Sequence, residues 1–188
     1  PGVVRVFEDA LAKLERELGE RQTLDFSDWP FQKMRRAGLL LMEAEMRKTL
    51  ADDLADKAHP VSENFRTMLD YAARKSAADY AQADRILDFA VLKARRVFSR
   101  VDVLVLPTTP QGAFPVDAPI PASQADLTAF ASLSACPAVS IPMGTLPDGM
   151  PIGMQFVGAP GSDLRLLELA EVCASALDAA PAYPIGSA

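Results

Sequence analysis

The sequence predicts an α/β protein, with strands of a mixed sheet flanked by helices and a helix-rich first half. Three of its fifteen prolines lie in residues 1–100 and twelve lie in residues 101–188. Because proline interrupts helices and avoids central strands, residues 1–100 should be mainly helical, and residues 101–188 should hold a strand, a Pro-rich loop, a hairpin and a final helix. The spacing of apolar residues supports this division. Before Arg100 they recur with a helical period, and after it they form short β-branched or alternating runs.

Two long helices and one short strand are predicted before residue 57. Apolar residues recur every three or four positions over Val3–Leu18, and Gly19 ends this first helix. The alternation in Thr23–Phe26 indicates a short strand. A second helix should run from Phe31 to about Asp56. Its continuous apolar run Leu39–Met42 indicates that both sides of the helix are covered.

Two more helices follow, each with a polar cap. Ser62 is a predicted N-cap, and Ser76 with Asp79 three residues later predicts a capping box that opens a helix to about Arg100. Its predicted apolar side consists of Tyr80, Leu87, Val91, Ala94 and Phe98.

The second half begins with a predicted buried strand. Val101–Leu106 is apolar except for Asp102 and is ended by Pro107, a pattern typical of parallel strands buried on both faces. Gln111–Ser123 contains three prolines and should be irregular, and Leu127–Ala135 should form a short helix.

A hairpin and a final helix complete the predicted elements. The runs Pro137–Gly144 and Pro151–Gly158 are joined through Asp148 and Gly149, a turn signal because glycine adopts positive φ without strain. Ser162 is the predicted cap of the last helix. The predicted buried face of that helix consists of Leu166, Leu167, Ala170, Cys173, Ala174 and Leu177.

Composition excludes several classes of protein. The net charge of −6 argues against nucleic-acid binding, and 49% hydrophobic against 23% charged residues argues for a packed core. Two cysteines and one histidine provide neither a disulfide framework nor a four-ligand zinc site. No apolar run is long enough to span a bilayer, so the sequence favours a soluble cytoplasmic protein without a membrane partner.

Five short strings, in this order, carry a resemblance. They are Ala78–Tyr80 on a helix, DVLVLPTTP, CPAVSIPMG, the Asp148–Gly149 turn and GMPIGMQFVGAPGSDLRLLELAE. Together they resemble the C-terminal part of an amidase signature family hydrolase, most strongly from Asp102 to Glu171. The resemblance implies that residues 1–188 are part of a single large α/β domain with a mixed central sheet.

The same resemblance implies amide hydrolysis by a serine nucleophile, a second serine on a cis peptide and a lysine, without a cofactor. The Gly- and Ser-rich stretch that carries this chemistry is missing, since the sequence has no Ser-Ser dipeptide. A serine hydroxyl is a weak nucleophile without a base, so the chain alone should be inactive and contains no catalytic residue. We expect a fragment that self-associates, for example as a homodimer, and that binds a small-molecule amide in the intact protein.

Two alternatives remain open at this point. The chain could be a non-catalytic interaction module with Leu39–Met42 as its partner surface, or part of the amidase-like subunit of a tRNA-dependent amidotransferase.

Candidate pocket residues follow from the resemblance and from strand positions. Thr108 and Thr109 follow a buried strand, where α/β proteins tend to bind ligands, and Cys136 and Pro137 precede the next strand. Gln155 is predicted either to touch substrate or to point outward from an alternating strand. Other groups are given structural interpretations. Cys136 is also a candidate buried apolar residue, and His59 is a candidate solvated loop residue. Gly153 and Gly158 are expected at sites of close backbone packing, and a solvated acidic face is expected to consist of Glu43, Glu45, Asp52, Asp53 and Asp56.

Overall fold

A computed structural model describes residues 2–56, 58 and 61–179. Its helices are α1 (Gly2–Lys13), α2 (Glu15–Leu18), α3 (Phe31–Thr49), α4 (Ala51–Ala55), α5 (Glu63–Ala73), α6 (Ala77–Phe98), α7 (Ala129–Leu133) and α8 (Asp163–Leu177). Its strands are β1 (Val103–Pro107), β2 (Ala138–Thr145) and β3 (Pro151–Gly158). The predicted α/β class is confirmed. His59 lies outside the described residues.

Side-chain caps define the starts of α5 and α6. Ser62 Oγ accepts a hydrogen bond from the Phe65 N–H at 3.2 Å. At α6, Ser76 Oγ accepts from the Asp79 N–H at 3.1 Å, and the Asp79 carboxylate accepts from the Ser76 N–H at 2.9 Å. Both predicted caps are confirmed, because capping depends on residues only three positions apart.

The described strands form one antiparallel sheet in the order β1-β3-β2. The predicted β2–β3 hairpin is confirmed. Its turn places Gly149 at φ 84°, and the Asp148 carboxylate accepts from the Met150 N–H at 3.1 Å. Positive φ costs glycine little because it has no Cβ.

Each face of the sheet packs on a separate apolar cluster. On one face, Met154 and Phe156 of β3 are fully buried with residues of α1 and α8. On the other face, Val157 is fully buried with residues of α3, α6 and α7. The chain therefore has three layers, with the sheet in the middle and helices on both sides.

The strand β1 differs from the prediction. Val103 and Val105 pack on the first cluster, while Leu104 and Leu106 pack on the second. This alternation explains why β1 is apolar on both faces. Every residue of β1 is only half-buried, however, and its neighbour β3 is antiparallel. The expectation of a fully buried parallel strand is therefore wrong, and the three described strands form an antiparallel sheet.

Both long helices predicted before residue 57 are interrupted. The first breaks at Leu14, between α1 and α2, and the second breaks at Leu50, between α3 and α4. Each leucine has a ψ angle near zero and slightly positive, outside the helical range. A one-residue break keeps apolar residues close to helical spacing, so periodicity did not reveal it.

The predicted strand Thr23–Phe26 is a loop. Lys93 of α6 holds this loop: its Nζ donates to the Asp25 carbonyl at 3.1 Å, pairs with the Asp28 carboxylate and lies 4.6 Å from the centre of the Phe26 ring. The loop is therefore held by a side chain that is distant in the sequence, and not by pairing with a neighbouring strand.

Several faces also differ from the prediction. Tyr80 and Leu167 are exposed rather than buried. Glu43 is only 4% exposed, because α3 packs against α5 on this side, and so it is not part of a solvated acidic face. At the start of α8, Ser162 Oγ donates to the Ala159 carbonyl at 2.7 Å and does not cap the helix. These differences all depend on tertiary contacts.

The continuous apolar run of α3 is partly covered. Leu40 and Leu41 are buried in a cluster with residues of α5 and α6, whereas Met42 is 39% exposed. The prediction that both sides of the helix are covered is therefore correct for Leu40 and Leu41 and wrong for Met42.

Candidate functional site

A polar cleft of about 170 Å³ opens where β1 ends. It lies between the three strands and the Pro-rich loop that follows β1. Its lining residues are Thr108, Thr109, Gln111, Gly112, Ala113, Gln124, Ser140, Pro151, Ile152 and Gly153. None of these lining residues has an ionisable side chain, so the described wall presents neutral hydrogen-bonding groups and no charge.

Two hydroxyl groups of the cleft lining meet each other. Thr108 Oγ1 and Ser140 Oγ lie 2.6 Å apart, close enough for a hydrogen bond in which either can donate. Thr108 follows β1 and Ser140 belongs to β2, so the two residues come from strands on opposite sides of β3. The Thr108 N–H also donates to the Gly153 carbonyl at 2.8 Å.

Gly153 of β3 allows these hydroxyls to meet. A Cβ at this position would lie 2.7 Å from Ser140 Oγ and 2.8 Å from Thr108 Oγ1, closer than real Cβ atoms approach other atoms. The prediction that Gly153 marks close packing is thus confirmed. The same holds for Gly158, where a Cβ would lie 2.2 Å from Ser162 Oγ.

Amide side chains of the Pro-rich loop form the other wall. Gln111 Nε2 donates to Gln124 Oε1, and Ser123 Oγ donates to Gln111 Oε1 at 3.5 Å. Thr109 Oγ1 donates to the Gln111 carbonyl at 2.7 Å, which ties the start of the loop to this wall. Both sequence-predicted threonines therefore line the cleft or hold its loop in place.

Gln155 lies inside the molecule. It pairs in register with Leu106 and Ser140, is 3% exposed, and its Nε2 donates to the Pro107 carbonyl at 3.3 Å. Because directly opposite residues in antiparallel strands share a face, Gln155 shares the face that carries Ser140. The outward orientation considered from the sequence is wrong, and the side chain supports the end of β1.

Cys136 and Pro137 lie at the other end of the sheet and do not line the cleft. Pro137 O accepts from the Gly158 N–H at 3.0 Å. Cys136 is half-buried against the apolar cluster that contains Val157, and this burial raises the pKa of its thiol. Its environment is that of an apolar core residue, as interpreted from the sequence.

A second, mainly apolar groove of about 380 Å³ lies beside that end of the sheet. Its lining residues are Val91, Ala94, Arg95, Phe98, Ser99, Ser134, Ala135, Ala159 and Pro160. Ser134 Oγ donates to the Phe130 carbonyl at 2.6 Å and is almost fully buried, so this hydroxyl is part of the helix end.

Buried ionisable groups lie away from the polar cleft. Burial raises the pKa of the Cys173 thiol to about 11, and the nearby Glu17 carboxylate contributes to this rise. Burial also raises the pKa of the Glu43 carboxyl. In residues 2–56, 58 and 61–179, no group of three or more His, Cys, Asp or Glu side chains is arranged to hold a metal ion. Nor is any helix in those ranges both long and apolar enough to cross a membrane.

Comparison with known proteins identifies the family. The model of the family described as Amidase matches residues 3–167. The chain belongs to the amidase family. Over 98 residues, or 50% of the chain, it is 39% identical to the A subunit of the glutamyl-tRNA(Gln) amidotransferase of Symbiobacterium thermophilum. Over 149 residues, or 73% of the chain, it is 32% identical to a fatty acid amide hydrolase of Medicago truncatula.

These matches cover 20% and 24% of the two relatives' lengths, so the amidase chain described here spans about a quarter or less of each. A crystal structure of an amidase matches 93% of this chain and 42% of that chain, with a TM-score of 0.80 and 24% identity. This likeness confirms the amidase signature fold predicted from the five sequence strings.

Sequence reasoning missed three polar side chains of the amidase cleft: Ser140, Gln111 and Gln124. The signal for Ser140 was a hydroxyl between Val139 and Ile141, two apolar residues of a predicted strand. The two glutamines lie in or beside a segment predicted only to be irregular, where no periodic pattern distinguishes a wall residue from a solvated one.

Proposed function

We propose that this chain supplies the substrate-recognition wall of an amide-hydrolysing enzyme, with its cleft at Thr108, Ser140 and Gly153 facing the substrate. The observation that carries the proposal is the neutral, hydrogen-bonding lining of this cleft in a member of the amidase family. Members of this family are amide hydrolases, and fatty acid amide hydrolase is one of the similar proteins.

The wall binds substrate and does not cleave it. Cleavage needs a nucleophile beside a general base, and the lining residues include no Lys, His, Asp or Glu side chain. The hydroxyls of Thr108 and Ser140 are hydrogen-bonded to each other, which leaves neither activated by a base. The nucleophilic serine and the lysine of the family therefore come from sequence upstream of Pro1 in this proposal.

The test compares two proteins in an ammonia-release assay on simple amides. The product of the complete coding frame should hydrolyse them, whereas the purified 188-residue chain should not. An inactive complete product would refute the proposal. So would ammonia release by the 188-residue chain that disappears when the chain is denatured.

A second candidate is the amidase-like subunit of a tRNA-dependent amidotransferase, favoured by the 39% identity to the Symbiobacterium protein over half of the chain. The two candidates differ in what the complete product does with glutamyl-tRNA(Gln). Isolation of the product in a complex that amidates this tRNA would favour the amidotransferase, and amide hydrolysis without other subunits would favour the stand-alone amidase.

The non-catalytic interaction module has lost its motivating observation. That alternative used Leu39–Met42 as an exposed partner surface, and Leu40 and Leu41 are buried within the chain. Met42 alone presents a large exposed apolar side chain from this run.

A further inference from the structure

We infer that the hydroxyl pair of Thr108 and Ser140 determines specificity in the cleft, and that it takes an uncharged amide or hydroxyl group of a ligand in preference to a carboxylate. The inference rests on the proposed function and names the substrate class for the same site.

The hydroxyl pair presents both a donor and acceptors to the cleft. Two hydroxyls carry two protons, and the 2.6 Å contact uses one of them. The other proton can point into the cleft, while the remaining lone pairs accept hydrogen bonds. A carboxamide both accepts and donates, so it matches this surface. An ionised carboxylate only accepts, so it leaves the lone pairs of the hydroxyls unmatched, and no lining residue of the described cleft offers it a cation.

The hydroxyl pair is also preorganised. Strands two positions apart in a sheet are separated by about 10 Å, so short side chains from β1 and β2 normally do not meet across β3. Here they meet above Gly153, and the Thr108 N–H bond to the Gly153 carbonyl fixes one of them. Groups that are held in place before binding lose little conformational entropy when a ligand arrives.

The opposite wall is neutral, and the space between the walls is small. Gln111 and Gln124 provide amide groups there and no cation that would pair with a carboxylate. A volume of about 170 Å³ is below the roughly 300–1,000 Å³ of typical small-molecule pockets. The described cleft therefore suits a small polar group.

Ligand-observed NMR on the 188-residue chain tests this inference, with succinamide and succinate as matched probes at about pH 7.5. Succinamide should bind and succinate should bind at least several-fold more weakly. Thr108→Val and Ser140→Ala each remove one hydroxyl and should weaken succinamide binding about three- to tenfold, the range of one neutral hydrogen bond.

Two further variants separate recognition from folding. Thr108→Ser keeps the hydroxyl and should keep succinamide binding, and Ser132→Ala changes an exposed serine of α7 and should have no effect. The inference is overturned if the wild-type chain does not bind succinamide, if succinate binds equally well, or if Thr108→Val and Ser140→Ala bind succinamide as the wild type does.

This binding experiment is independent of the ammonia-release assay. A chain that binds succinamide while the complete product hydrolyses no amide would refute the proposed function and leave the specificity of the cleft established. An active complete product whose 188-residue chain does not distinguish the probes would refute only the present inference.

Discussion

Replacing Glu43 by glutamine is expected to stabilise the chain at neutral pH and to leave its stability below about pH 4 nearly unchanged. The Glu43 side chain lies between α3 and α5, and its Oε2 has no hydrogen-bond partner within the described part of the chain. Burial raises the pKa of this carboxyl above its ordinary value of 4.5, and a hydrogen bond from the Ala72 backbone lowers it by a smaller amount.

The sign of the pH dependence follows from proton binding. Below pH 4.5 the folded and unfolded chains both hold the proton, so the neutral carboxyl is buried without a charge. As the pH rises past 4.5, the unfolded chain releases its proton first, and the free energy of unfolding falls until the pH exceeds the raised folded pKa. Glutamine does not titrate, so the difference in free energy of unfolding between variant and wild type should grow over this pH interval and then stay constant.

The magnitude follows from the unpaired oxygen. An unsatisfied buried polar group costs about 1–3 kcal/mol, and more when it is charged. Glutamine also leaves a polar atom unpaired at this position and removes only the charge, and the Ala72 backbone satisfies part of the carboxylate, so we expect a gain of about 1 kcal/mol at about pH 7.5. Each kcal/mol corresponds to roughly 2–4 °C in Tm for a chain of this size.

Urea unfolding followed by far-UV circular dichroism at about pH 4 and about pH 7.5 measures this difference, provided that the m-value is unchanged. Glu45→Gln is the matched control, because Glu45 is an exposed residue of the same helix. A gap between Glu43→Gln and wild type that is equal at the two pH values would refute the reasoning, as would an equal gain in the control.

Two further predictions concern groups away from the cleft. Lys93→Met removes the cation that pairs with Asp28 and should lower the free energy of unfolding by about 1–3 kcal/mol in urea; an equal loss in Arg96→Met, an exposed position of the same helix, would contradict this. At about pH 8, iodoacetamide should modify half-buried Cys136 before buried Cys173, whose thiol pKa is about 11. Peptide mass spectrometry measures both rates, and alkylation of Cys173 as fast as Cys136 in the folded chain would show that its burial is wrongly assigned.

Local features of the fold could be predicted from the sequence. Ser76 and Asp79 cap each other across three residues, and Asp148 and Gly149 form their turn within the hairpin, so each feature depends on neighbours in the chain. Glu43 illustrates the limit, because only the packing of α5 distinguishes it from exposed Glu45. The direction of β1 relative to β3 could not be predicted either, because an apolar run indicates burial and not the orientation of a neighbouring strand.

The candidate site shows the same limit at the level of sheet topology. Both β1 and β2 are antiparallel to β3, so they run in the same direction. Thr108 follows the carboxyl end of β1 and Pro137 precedes the amino end of β2, which places them at opposite ends of the sheet. Their β3 contacts, Gly153 and Gly158, are five residues apart, or about 17 Å at roughly 3.4 Å per residue. Pro137, which precedes β2, therefore cannot share a site with Thr108, which follows β1. Ser140, two positions into β2, does reach Thr108, because the residue of β3 between them is a glycine.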